Sequence, residues 1–176
     1  VFGRNGRGGV EHFNLNNEID IVMGTLSKAI GSLGGYVTGD NDLINYLRNK
    51  ARSFMYTTAL PPAVCAASIA AINLIKRDPS IRESLWHNVR FINDNLKLLN
   101  FNVISSESPI IPILIGDAQK AVDMSKSLYE RGILIPAIRP PTVPVNSSRL
   151  RMTVMSTHTK EDLEILLEVL SEVQNL

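Results

Sequence analysis

Residues 24–39 read GTLSKAIGSLGGYVTG, a single lysine, Lys28, set among small side chains directly after the apolar run Ile19-Asp20-Ile21-Val22-Met23. The pattern predicts a short buried strand over EIDIVMGT, a lysine-bearing loop, and a second strand over GGYVTG. An amine that attacks an aldehyde at neutral pH needs partial desolvation or cationic neighbours, which ordinary surface lysines lack. Around Lys28, the hydroxyls of Thr25 and Ser27 suit a phosphate, and Gly31, Gly34 and Gly35 allow backbone to approach a flat ligand closely. Two readings stay open from these residues: a seat for a planar phosphorylated ligand, or a glycine-rich connection carrying a solvated lysine.

Before this stretch, residues 1–17 carry GRNGRGG. Basic glycine-rich loops cradle phosphate when a strand and a helix bracket them; no such bracket is visible here, so a flexible connection is the expectation. After it, NDLINYLRNKAR (41–52) predicts a helix capped by its Asn-Asp start, and SFMYTTAL an irregular or extended segment. Pro61-Pro62 opens an Ala-rich helix to about Arg77, which Asp78-Pro79 ends. Leu85, Val89, Ile92, Leu96 and Leu99 then line one helical face. Beyond lie four short strand-like runs, FNVIS, PIIPILIG, ILIPAI and RLRMTVM. One helix interrupts them (Ala118, Ala121, Val122, Ser125, Leu128) and another follows (Leu163, Leu166, Leu167, Leu170). The first part, residues 1–78, has too few strands to cover its own sheet edges and reads as the C-terminal part of a larger α/β domain. Residues 79–176 read as a small α+β domain.

Eighteen basic and seventeen acidic residues leave a net charge of +1, which argues against a nucleic-acid partner. No apolar run reaches the roughly 20 residues needed to span a bilayer, so no membrane partner is expected. The single cysteine, Cys65, has no internal partner and sits in an apolar run, a pattern that suits core packing and a reduced, cytoplasmic setting. His12, His87 and His158 show no metal-ligand spacing, so no metal site is expected. His158 reads as a turn or cap neighbour, and Trp86 as packing.

The lysine segment resembles that of the α-oxoamine synthases, a family of fold-type I pyridoxal-phosphate enzymes. FMYTTALPPAVCAA (54–67) and PAIRPPTVPVNSSRLRMTVMSTHT (136–159) also resemble segments of that family, so the likeness runs along essentially the whole chain. The resemblance implies the C-terminal part of a fold-type I transferase with pyridoxal 5′-phosphate as cofactor and Lys28 as its Schiff-base lysine. It implies that Thr25, with Ser27 beside it, bonds the cofactor phosphate, and that Thr57 and Thr58 reach the phosphate bound by a neighbouring subunit of a homodimer. Arg139 and Arg151 match the two family arginines near the substrate carboxylate, with Arg139 as the direct clamp. Read without the family, these arginines would be a turn residue before Pro140-Pro141 and a strand residue facing water.

The branch of the family resembled most condenses L-alanine with a pimeloyl thioester, carried by coenzyme A or by a carrier protein, and releases carbon dioxide. A branch acting on glycine and acetyl-CoA and a non-catalytic interaction module built on residues 80–176 are the alternatives. The family's D-x-x-H-S block, with its acidic partner for the ring nitrogen, and its stacking histidine are not in these 176 residues. The expectation is therefore a C-terminal part that is inactive alone. Asn146 stands where relatives commonly have Gly, in a turn whose left-handed backbone Asn tolerates.

Overall fold

The computed structural model describes residues 1–174, and its contacts divide the chain between Pro79 and Ser80. In the first unit, α1 (Gly9–His12) precedes an antiparallel pair, β1 (Val22–Thr25) and β2 (Gly35–Thr38), in register from Val22↔Thr38 to Thr25↔Gly35. Three helices follow: α2 (Asn41–Lys50), the single turn α3 (Arg52–Met55) and α4 (Pro62–Arg77). Asp40, rather than the Asn-Asp pair after it, caps α2, its carboxylate accepting from the Leu43 amide at 2.7 Å. Helix α3 occupies the start of the segment expected to be irregular, and residues 56–60 remain without regular structure.

No apolar side chain is buried among the described residues of this unit; its one buried residue is Ser68. The strand expected to be buried is therefore open. Met23 on β1 is 76% exposed and Ile21 just before it 54%, because a two-stranded sheet has no third strand or helix layer to cover both faces. Cys65, expected in a core, is likewise exposed on α4.

The N-terminal glycine loop, expected to be a flexible connection, is folded around a carboxylate. The backbone amides of Asn5 and Arg7 donate to Glu11 at 3.0–3.2 Å, and Asn5 Nδ2 donates to the same group at 2.6 Å. Gly3, at φ +81°, leaves the space that Glu11 fills, since a Cβ there would overlap its carboxylate. The Arg7 amide above all, then the Asn5 side chain and amide and the Arg7 charge, hold the Glu11 carboxyl below its ordinary value, against a smaller opposing effect of burial.

In the second unit, α5 (Ser80–Leu98), α6 (Ala118–Glu130) and α7 (Lys160–Val173) pack with a three-stranded antiparallel sheet. Its strand order is β3 (Ile110–Gly116), β5 (Ser148–Thr153), β4 (Ala137–Ile138). Val89, Ile92 and Leu96 of α5, Met124 and Leu128 of α6, and Leu163 and Leu170 of α7 meet Ile111, Ile113, Leu150 and Met152 of the sheet in one core. Two runs expected as strands are shorter than their β-propensity suggests. FNVIS contributes an isolated bridge, Val103↔Ile113, and ILIPAI only the two residues of β4. Proline explains both, because Pro112 and Pro136 accept from the Ile104 and Arg151 amides but return no N–H of their own.

Buried Asn88 of α5 donates through Nδ2 to the carbonyls of Met155 and His158 at 3.0 and 2.9 Å, tying down the turn after β5. Thr159 then caps α7 in a reciprocal box with Asp162. His158 Nδ1 accepts from the Met155 amide at 3.3 Å, so this histidine is a turn residue beside a cap. Trp86 is partly buried against the core.

Two outcomes follow. Ile92→Ala, at a site with 0% exposure, should cost about 2–5 kcal/mol in urea unfolding of the second unit. Glu11 has a lowered carboxyl, so its contribution to stability is present above its ordinary value of 4.5 and is lost as pH falls through the lower folded value. Hydrogen exchange should therefore show the Asn5 and Arg7 amides protected at neutral pH. That protection should disappear at the acid end of the range and, at every pH, in Glu11→Ala.

Candidate active site

The Lys28 loop is built by short-range bonds. The Thr25 and Ser27 hydroxyls lie 2.7 Å apart, the Ser27 amide donates to Thr25 Oγ1 at 3.2 Å, and the Leu26 amide donates to Gly34 O at 2.9 Å to continue the strand pairing. The Ser32 amide donates to Leu26 O and the Gly31 amide to Lys28 O, both at 2.8 Å, with Gly31 at φ +66° where a Cβ would be strained. Thr25, Ser27 and Lys28 are all exposed. Two adjacent hydroxyls and an exposed primary amine thus share one tight turn. Hydroxyls so placed can bond a phosphate oxygen, and a primary amine can condense with an aldehyde.

The small residues around the lysine divide by task. A Cβ at Gly24 would overlap the Tyr36 ring across the strand pair, and one at Gly34 would press on Leu60. These two glycines make room for the protein's own side chains, whereas nothing lies within 4 Å of the corresponding position at Gly31.

Behind the loop, Ser68 of α4 holds it in place. Its buried hydroxyl lies 2.9 Å from Ser32 Oγ and 2.9 Å from Val64 O, and Ser32 Oγ lies 3.1 Å from the same carbonyl. Sequence reasoning passed over this pair because serine in an Ala-rich helix carries no motif. The available signal was its position one turn after Val64.

Beside the loop opens a cleft of about 640 Å³. Asn5, Arg7, Thr25, Tyr36 and Lys76 line it, over apolar Leu26, Ile30, Ile72 and Ile75. Thr57 and Thr58 follow α3 and are exposed. Of the expected site residues, Thr25, Ser27, Lys28, Thr57 and Thr58 belong to the first unit, and Arg139 and Arg151 to the second.

Arg139 is exposed just after β4, at the start of a loop in which its carbonyl accepts from the Thr142 amide at 3.1 Å and Pro140-Pro141 is cis. Asn146, at φ 62°, makes the left-handed turn that leads into β5. On β5 the side chains alternate: Ser148, Leu150 and Met152 are buried, while Arg149, Arg151 and Thr153 are not. Arg149 Nε donates to Ser147 O at 3.0 Å, leaving Arg151 as the exposed guanidinium of the strand. Among the described residues no group of His, Cys, Asp and Glu is arranged to hold a metal ion.

Three likenesses to known proteins bear on this arrangement. The 8-amino-7-oxononanoate synthase of Thermoanaerobacter pseudethanolicus is 46% identical over 98% of the chain and 44% of its own length. The serine palmitoyltransferase of Bacteriovorax stolpii is 40% identical over 100% of the chain and 42% of its own. A solved structure of SPT, serine palmitoyltransferase, with its PLP internal aldimine superposes with a TM-score of 0.94 at 30% identity, covering 99% of this chain and 44% of that one. The chain thus spans less than half the length of these relatives. The model of the aminotransferase class I and II family matches residues 1–170, and the chain belongs to that family.

Proposed function

We propose that this chain carries the covalent lysine of a pyridoxal 5′-phosphate-dependent acyltransferase that condenses L-alanine with a pimeloyl thioester. The products are 8-amino-7-oxononanoate, carbon dioxide and the free thiol of the carrier. The observation that carries the reading is the Thr25–Ser27–Lys28 turn, two hydroxyls 2.7 Å apart beside an exposed amine. The 8-amino-7-oxononanoate synthase relative supports the choice of substrates.

Each residue then has a task. Thr25 and Ser27 hold the cofactor phosphate, and Lys28 holds its aldehyde carbon. When bound, the cofactor supplies an electron sink for the α-carbon of the amino acid. Lys28, displaced by alanine, takes the α-proton on Nζ. Arg139 clamps the alanine carboxylate through two parallel N–H···O bonds, with Arg151 as the second cation. Bond formation between the alanine α-carbon and the thioester carbonyl expels the thiolate, the resulting β-keto acid loses its carboxylate as carbon dioxide, and the proton held on Lys28 Nζ returns to the α-carbon. Thr57 and Thr58 serve the phosphate of a partner subunit in a homodimer. Residues 1–78 belong to the cofactor-binding domain and residues 79–176 to a small C-terminal domain. The reaction is one of soluble small molecules in the cytoplasm. No described helix is long and apolar enough to cross a membrane.

The serine palmitoyltransferase relative favours a second reading, in which serine and a palmitoyl thioester are the substrates. Because these 176 residues are expected to be inactive alone, the assays and the variants below are made in the complete enzyme that carries them; assay with each pair, and with glycine and acetyl-CoA, separates the readings. Release of 8-amino-7-oxononanoate from alanine and pimeloyl-CoA supports the first reading, and turnover of serine with palmitoyl-CoA in its place refutes it.

Borohydride treatment with pyridoxal phosphate, followed by peptide mass spectrometry, should place the cofactor on Lys28 and nowhere in Lys28→Ala; attachment to another residue would overturn the assignment. Arg139→Gln should raise the KM for alanine about 10–100-fold, as expected for loss of charge-assisted hydrogen bonds. The KM for the thioester should change little, and Arg151→Gln should have the smaller effect on alanine.

A further inference from the structure

A polar cleft in the second unit plays no part in the chemistry proposed above. Helix α5 and the turn after β5 border an open space of about 500 Å³, lined by Glu83, His87, Asn88, Arg90, Ser156 and His158 among others. Glu83, His87 and Arg90 follow one another at spacings of four and three, so they form one stripe along α5, roughly 10 Å long at 1.5 Å per residue. The stripe has a carboxylate at one end, a guanidinium at the other and an imidazole between them. None of the described hydrogen bonds or ion pairs engages these three side chains.

The facing turn is held still. Asn88, 8% exposed, spends Nδ2 on the Met155 and His158 carbonyls, and its Oδ1 accepts from no described group. His158 Nδ1 accepts from the Met155 amide, which leaves the N–H of the neutral ring on Nε2. Asp162, the acid that feels the His158 charge, is committed to the Thr159 cap. Two imidazoles and a carboxylate raise the thought of a metal, but among the described residues no group of His, Cys, Asp and Glu is placed to hold one.

We propose that this cleft binds a phosphate group that still carries a proton, as inorganic phosphate or as a small phosphomonoester. Arg90, His87, His158 Nε2 and the Ser156 hydroxyl donate to its oxygens, and Glu83 and Asn88 Oδ1 offer acceptors for its P–O–H. Donors alone would take any oxyanion. The acceptors supply the selectivity, because sulfate near neutral pH has no proton to give and meets in Glu83 a like charge with nothing between them. The inference goes beyond the lysine chemistry and does not rest on it.

Calorimetric titration of the complete enzyme with inorganic phosphate and with sulfate, at pH about 6, tests the assignment. The enzyme is first loaded with pyridoxal phosphate and reduced with borohydride, to occupy the hydroxyls of the lysine loop. Phosphate should bind at least about tenfold more tightly than sulfate, and Arg90→Gln and His87→Gln should each weaken it about tenfold. Glu83→Gln should keep phosphate binding and raise the affinity for sulfate, cutting the preference at least about threefold. Circular dichroism checks that each variant is folded. Equal affinity for the two ions, phosphate binding untouched in both Arg90→Gln and His87→Gln, or a preference unchanged in Glu83→Gln overturns the proposal. Glycerol phosphate, which keeps its second proton in about half of its molecules at this pH, is the further arm. Its binding more tightly than inorganic phosphate identifies a phosphomonoester as the source, and the reverse identifies the free ion; either result supports the site. Failure of the borohydride labelling would remove the reading of Lys28 and leave this one, because loss of binding in Arg90→Gln and His87→Gln places the phosphate in the second unit.

Discussion

A loop proposed to present a nucleophilic lysine has to satisfy two opposed demands: its amine must be open to a ligand, and its backbone must not wander. The Ser32–Ser68–Val64 hydroxyl network meets the second without compromising the first. It fastens the far side of the loop to a 16-residue helix, while Thr25, Ser27 and Lys28 stay at the surface. Ser68 is also the one buried residue in its unit. A polar contact therefore does there what an apolar core does elsewhere. A hydrogen bond contributes only about 1 kcal/mol net, so such a network fixes geometry more than it supplies stability.

The second unit solves the complementary problem. Its helices bury one side of a three-stranded sheet, and the alternation along β5 delivers arginines to the other side as a by-product of burying Ser148, Leu150 and Met152. The substrate-facing role proposed for Arg151 thus follows from core packing on the opposite face. Arg139 lies instead at the start of a loop in which its carbonyl accepts from the Thr142 amide, and Asn146, a residue type that tolerates left-handed backbone where most others are strained, leads that loop into β5.

How much of this was legible in the sequence depends on the range of the interactions involved. Periodicity located α5, α6 and α7, because Val89, Ile92 and Leu96, or Leu163 and Leu170, face a core at helical spacing. The hairpin around Lys28 was readable for the same local reason. Burial was not. Ile21 and Met23 carry the apolar signature of a covered strand yet lie open, since coverage depends on partners that no local window contains. Cys65 failed likewise, as a thiol on an Ala-rich helix whose surroundings are not encoded nearby. The glycine loop was misjudged because its organiser, Glu11, lies six residues from Asn5 and looks like any surface acid. Of the candidate site, the motif residues were visible one by one; the Ser68 clasp and the Arg7–Lys76 cleft needed α4 brought back against the loop.

The strict in-and-out rhythm of β5 also limits how this protein can vary. Adding or deleting a single residue within Ser148–Thr153 would exchange the two faces, driving guanidinium groups among Ile92 and Leu128 and turning Leu150 to water. Changes of length are confined to the neighbouring loops, where no such phase has to be kept. The strand therefore behaves as a reading frame in three dimensions, tolerant of substitution on its outer face and intolerant of any shift.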